Sequence, residues 1–68
     1  MKNKDYSKLR GRIYEKFGSL RKFANAMPMH EATLSLKLRG RRDWTRVQIE
    51  RAAELLDISV GEIDLYFF

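Results

Sequence analysis

Apolar residues spaced four apart, broken off at short intervals by helix-stopping signals, set the limits on what this chain can fold into. Leu9, Ile13 and Phe17 follow that spacing and halt at Gly18, a residue that readily takes the left-handed conformation closing a helix. A first helix is expected to begin near Asp5 or Ser7 as N-cap, with Gly11 inside it lowering helix propensity by up to about 1 kcal/mol relative to alanine. Ser19 then caps a short second helix, with Phe23 and Met27 inward and Ala24 small enough to let another helix approach. The proline-containing "MPM" at 27–29 makes a tight turn. A third helix starts around His30 or Glu31, points Leu34 and Leu38 at the core and stops before Gly40, after which "GRRDW" forms a loop. Thr45 and Gln48 stand in capping-box spacing ahead of Ile49, Ala52, Ala53 and Leu56. Ser59 and Glu62 repeat that signature before a last short helix containing Ile63. No alternating apolar pattern is long enough for a strand. The expected fold is all-α, a compact bundle of about five short helices in one domain over residues 1–68.

A chain of 68 residues buries only about 60% of its unfolded surface, so its function is expected on a surface. It has no cysteine, which removes disulfide staples and thiolate metal sites. His30 is the single histidine, and no carboxylate pair stands at a convincing spacing, so neither a catalytic triad nor a metal centre can be assembled. No enzyme activity and no cofactor is expected. The apolar runs fall far short of the roughly 20 residues that span a bilayer, and "MKNKDYSK" lacks the apolar core of a signal peptide. A cytoplasmic protein with no membrane partner is the expectation.

Charge is unevenly distributed. Residues 1–26 carry eight Lys/Arg against two Asp/Glu, residues 27–46 five against two, and residues 47–68 one against five, giving +6, +3 and −4. This asymmetry points to one face for a polyanion and an acidic end kept away from it, although surplus lysines also serve solubility in small domains. The second and third expected helices, with the turn between them, form a helix-turn-helix over about residues 19–39. Such a unit holds one helix outward, and an α-helix fits the DNA major groove.

The span "SLRKFANAMPMHEATLSLKLRG", followed by "IERAAELLDISVGEI", resembles the lambda-repressor-like helix-turn-helix family of Cro and repressor type (XRE-like). Within it the chain looks most like small regulators of phages and prophages of Gram-positive bacteria. The resemblance runs from "DYSKLRGRIYEKFG" to the terminal "YFF". It implies a five-helix domain that binds double-stranded operator DNA, usually as a dimer, with the third helix reading bases. Position by position it implies that Glu31, Ala32, Thr33, Ser35 and Leu36 form the base-reading face. It places Ser19, Arg21, Lys22, Arg39, Arg41 and Arg42 on phosphates. A glutamate can accept from the cytosine amino group, and alanine or leucine can touch a thymine methyl. Each phosphate contact adds about one unit to the salt slope.

Three positions depart from the family pattern. Pro28 stands where glycine is common and cannot supply a positive φ, so the turn must be built differently. Lys37 stands where an apolar residue is frequent, which rotates the third helix or leaves the lysine stem snorkelling over the core. Glu31 is repelled by a phosphate-lined groove unless it finds its cytosine. A reading helix unusually poor in Arg, Asn and Gln keeps a second partner open: a phage repressor protein, docked through its own basic DNA-binding surface on this acidic and apolar face. Of the single residues, His30 is expected as a helix N-cap, Trp44 as a plug between the loop and the core, and Met27 and Met29 as core filler. The terminal Leu65, Tyr66, Phe67 and Phe68 are expected to form a homodimer or partner interface, since chain ends usually fray and only one or two of them can fold back on the first helix; packing of the tail within one subunit is the alternative. A twofold axis would set two reading helices roughly 34 Å apart.

Overall fold

The computed structural model describes residues 6–68. Five α-helices follow in order: α1 (Ser7–Phe17), α2 (Leu20–Ala26), α3 (Glu31–Leu38), α4 (Arg46–Leu56) and α5 (Ile63–Phe67), the last entered through a 3₁₀ turn at Val60–Glu62. The described residues contain no strand. Leu9, Ile13, Phe23, Leu34, Ala52 and Leu56 are fully enclosed and, with Phe67, draw α1 to α5 into one hydrophobic core. α1 lies centrally and packs against the other four helices.

The helix ends follow local chemistry closely. Gly18, with φ at 84°, closes α1 by donating its N–H to the Tyr14 carbonyl at 2.9 Å. Ser19 Oγ accepts the Lys22 N–H at 3.2 Å and starts α2. At α4 the capping box is complete: Gln48 N–H donates to Thr45 Oγ1 and Thr45 N–H to Gln48 Oε1, both at 3.1 Å.

At three other helix starts the expected side-chain cap bond is not made, and at α1 the cap residue itself differs. The start of α1 has Tyr6 in the cap position, without a side-chain cap bond, and Ser7 is already helical; Asp5 lies outside the described residues. His30 holds the cap position of α3 through its backbone, its carbonyl accepting the Leu34 N–H at 3.0 Å, while its side chain makes no cap bond. An imidazole on its methylene lacks the short side-chain oxygen that reaches back to the first-turn amides. Ser59 likewise makes no side-chain cap bond, because the chain turns there through a 3₁₀ bond from Glu62 N–H to Ser59 carbonyl at 2.9 Å rather than entering an α-helix directly.

The turn between α2 and α3 contains no positive-φ residue, and its Met27–Pro28 peptide is cis. The Met29 N–H reaches back to the Ala24 carbonyl at 2.8 Å. Met27 is buried, and Met29 packs half-buried against the core. Phe17 sits at the core margin with its ring edge-on to Phe23, centroids 5.3 Å apart.

Candidate functional site

At 100° per residue, the buried Leu34, Lys37 and Leu38 define the inner side of α3. Directly opposite run Ala32 and Leu36, with Ser35 and Arg39 beside them. Of the five residues expected to read bases, only Glu31 and Ala32, in the first turn, are exposed; Ser35 and Leu36 lie half-buried on the outward side, and Thr33 half-buried on the opposite flank from Glu31. Glu31 is acidic, Leu36 is apolar, and the hydroxyl of Ser35 accepts from Arg39 Nη2 at 3.3 Å. Neither Arg, Asn nor Gln occurs between Glu31 and Leu38.

The one cation within α3, Lys37, is turned away from this face. Its stem is buried in the core and its ammonium donates to the Asp43 carbonyl at 2.6 Å, 5.8 Å from the centre of the Trp44 ring. Burial, reinforced by the nearby Arg42 and opposed by Asp43, lowers the Lys37 pKa from its ordinary value. The lysine does not snorkel to water: the chain accommodates it at an apolar position by satisfying its ammonium with the Asp43 carbonyl, which pins the loop after α3. Burial raises the pKa of Tyr6, with Asp43 adding to the effect.

On that pinned loop Arg39, Arg41 and Arg42 are all exposed. Gly40, with φ at 76°, donates to the Lys37 carbonyl at 3.1 Å, and the Arg41 N–H returns to the Leu36 carbonyl at 2.9 Å. Arg21 and Lys22 are exposed in the first turn of α2. Ser19, expected on a phosphate, is half-buried, with its hydroxyl oxygen already holding the Lys22 amide.

The C-terminal aromatics divide by helical face. Phe67 is 2% exposed and packs edge-on against Trp44, centroids 5.1 Å apart at 80°, so it is core and unavailable to a partner. Its place as the last helical residue misled the expectation; Ile63, Tyr66 and Phe67 form the inward side of α5, leaving Leu65 and Phe68 outward. Tyr66 is half-buried beneath the Lys8 ammonium, 5.6 Å from its ring centre. Trp44 plugs the space between loop and core as expected, and its buried indole N–H finds no acceptor among the described residues.

Two cations that counted toward a basic face, Arg12 and Lys16, and Arg51 from the acidic end make contacts within the fold instead. Arg12 donates from Nε to the Leu56 carbonyl at 2.9 Å and from Nη2 to the Asp57 carbonyl at 3.1 Å, latching α1 to the end of α4. Arg51 donates to the Ala26 carbonyl at 3.2 Å, and Lys16 stands 3.5 Å from the Asp57 carboxylate. Nothing in the local sequence around Arg12 marks it for this role. Among the described residues no group of three or more His, Asp or Glu side chains could hold a metal ion, and no helix is long and apolar enough to cross a membrane.

The model of the family described as "Protein of unknown function (DUF739)" matches residues 2–68. The chain belongs to the DUF739 family. Among solved structures it is similar to the solution structure of the modulator of repression (MOR) of the temperate bacteriophage TP901-1 from Lactococcus lactis. The two share 42% sequence identity, with a TM-score of 0.83, over 94% of this chain and 86% of that one. No curated protein matches the chain.

Proposed function

We propose that this DUF739 protein is a phage regulator that binds a repressor protein and modulates the repressor's DNA binding. The observation that carries this reading is α3 itself, which exposes Glu31 and Ala32 with half-buried Leu36 beside Ala32, while the helix's one cation is buried against Asp43. A carboxylate at the tip of a helix meets unfavourable potential in a phosphate-lined groove and favourable potential on a basic protein surface. Leu36 supplies an apolar anchor of the kind that gains affinity when a partner covers it. The similarity to MOR, a modulator of repression by its own description, supports the same class of activity. Docking on the repressor's DNA-binding surface would compete with the operator; docking beside it would make the two proteins act together.

A second reading keeps its own support. Arg39, Arg41 and Arg42 on the pinned loop, with Arg21 and Lys22 at the start of α2, are exposed as phosphate contacts require. Read as a helix-turn-helix, α2 and α3 would then place α3 in the major groove and regulate transcription by occupying a pseudo-palindromic operator.

Two sets of substitutions separate these readings. Glu31→Lys combined with Leu36→Ala is expected to weaken binding to the purified repressor about tenfold or more, roughly the effect of losing one good anchor, with helicity unchanged by circular dichroism. Arg41→Ala with Arg42→Ala is expected to leave that binding within about threefold, a change of under roughly 1 kcal/mol. Isothermal titration calorimetry with the repressor gives both numbers. The direct-DNA reading requires a different pattern: the arginine pair weakens binding to every DNA sequence and flattens the salt dependence, while Glu31 and Ala32 variants change which sequence is preferred.

A further inference from the structure

A second apolar surface lies on elements that take no part in the α3 face. An open groove of about 690 Å³ runs between α4 and the 3₁₀ turn, its apolar walls formed by Trp44, Ile49, Val60, Ile63 and Phe68. It continues into an adjoining hollow of about 390 Å³ that reaches Ala53 and Ile58 and shares Val60 and Ile63. Val60 is 87% exposed and Phe68 70%, well beyond what core packing requires. Side chains of this size left open side by side mark a surface that gains by being covered.

Charge identifies what covers it. Glu50 lines both parts of the groove and Glu54 the second, and exposed Glu62 and Asp64 follow on the adjoining turn and helix. The cations alongside are Arg46, which stands 3.2 Å from Glu50, and Arg51, 3.7 Å from Glu54. Glu50, Glu54, Glu62 and Asp64 against Arg46 and Arg51 leave the groove and its rim with a net charge of −2, so a second copy laid face to face would set like charges against each other. A small polar ligand would find carboxylates at the rim and apolar carbon below, a poor match to the convergent polar groups that orient such ligands.

We infer that this groove docks an amphipathic segment of a partner protein, one that inserts apolar side chains between α4 and the 3₁₀ turn and sets Lys or Arg residues against Glu50, Glu54 and Glu62. Apolar anchors give the affinity, and the acidic rim selects the flanks. The site is separate from the α3 face and stands whether or not that face binds a repressor.

Trp44, the chain's one tryptophan, lines the groove and reports its occupancy by fluorescence. The probe is a synthetic peptide of ~14 residues, about four helical turns, with leucines at helical spacing and lysines elsewhere; the control keeps the leucines and replaces the lysines with glutamates. The lysine peptide is expected to change Trp44 emission saturably, with amide shift changes in a two-dimensional NMR spectrum confined to α4, the 3₁₀ turn and α5. The glutamate peptide is expected to do neither. Val60→Asp adds an acidic charge while removing an anchor, so it is expected to weaken the lysine peptide about tenfold; Glu31→Lys, on the other face, is expected to leave it unchanged. Equal binding of both peptides would overturn the inference. Tighter binding to Val60→Asp would also overturn it by reducing the effect to bulk charge. A Trp44 emission that shifts with protein concentration alone would overturn it by giving the groove to a second copy.

Discussion

Phe67→Ala is expected to leave the chain largely unfolded at 25 °C. Phe67 is 2% exposed, lies edge-on to Trp44 at 5.1 Å and lines a small hollow with Tyr6. Removing a buried phenylalanine ring from a core costs about 3–5 kcal/mol, and a single core in a domain this small supplies roughly 3–5 kcal/mol in all. α5 spans only Ile63–Phe67, far below the ~12 residues at which an isolated helix becomes marginal, so it is held by packing alone. Without the ring, α5 detaches and the Trp44 side of the core opens with it. A thermal melt followed at 222 nm measures the loss. Were Phe67 an interface residue instead, the variant would keep full helicity and change only its sedimentation behaviour.

That contrast shows where sequence pattern was a sufficient guide and where it was not. Capping chemistry is local, so Ser19 and the Thr45–Gln48 pair are readable from residue type and spacing, and the core positions of α1 to α4 follow from helical periodicity. The tail could not be read this way. In a helix as short as α5, periodicity has too few repeats to say which of several consecutive aromatics turns inward, and the answer depends on a distant partner, Trp44. Pro28 announced an unusual turn but not its form. Lys37 was readable as a conflict, an amine at an apolar position, whereas the Asp43 carbonyl that accepts it belongs to a loop no local rule places. On the exposed side of α3, residue types could be read in advance, and they remain the strongest ground for a protein partner.

Charge counting failed for a comparable reason. Summing Lys and Arg over the first 26 residues treats every cation as available to a partner, yet Arg12 is used within the fold. Arg12→Met is expected to cost about 2 kcal/mol, since hydrogen bonds from a charged donor contribute roughly 1.5–3 kcal/mol and methionine retains most of the stem packing. The guanidinium joins positions 44 and 45 residues apart in sequence, at 2.9 Å to Leu56 and 3.1 Å to Asp57. It also places a cation at the negative end of the α4 dipole, worth about a further 0.3–1 kcal/mol. Asp57 itself turns left-handed there, with φ at 59°, so the two carbonyls are presented together. At this chain length 2 kcal/mol corresponds to a fall in Tm of roughly 8–16 °C. Arg12→Lys is expected to recover less than half of it, because an ammonium cannot match the fixed fork of a guanidinium. A melting temperature within about 2 °C of wild type, a few tenths of a kcal/mol, would show the latch to be incidental.

In the function proposed above, this protein acts on a repressor rather than on operator sequence. Fluorescence anisotropy of labelled operator DNA tests it most directly. The DNA is first saturated with a purified phage repressor that binds it; the protein is then titrated in at two salt concentrations with random DNA as competitor, and the titration is repeated without repressor. The repressor's apparent affinity for its operator is expected to change, with the change saturating as the protein reaches stoichiometry with repressor. The protein alone should show no sequence preference. Specific binding of the protein alone that survives competitor DNA, with the repressor's occupancy unaffected below that concentration, would contradict it.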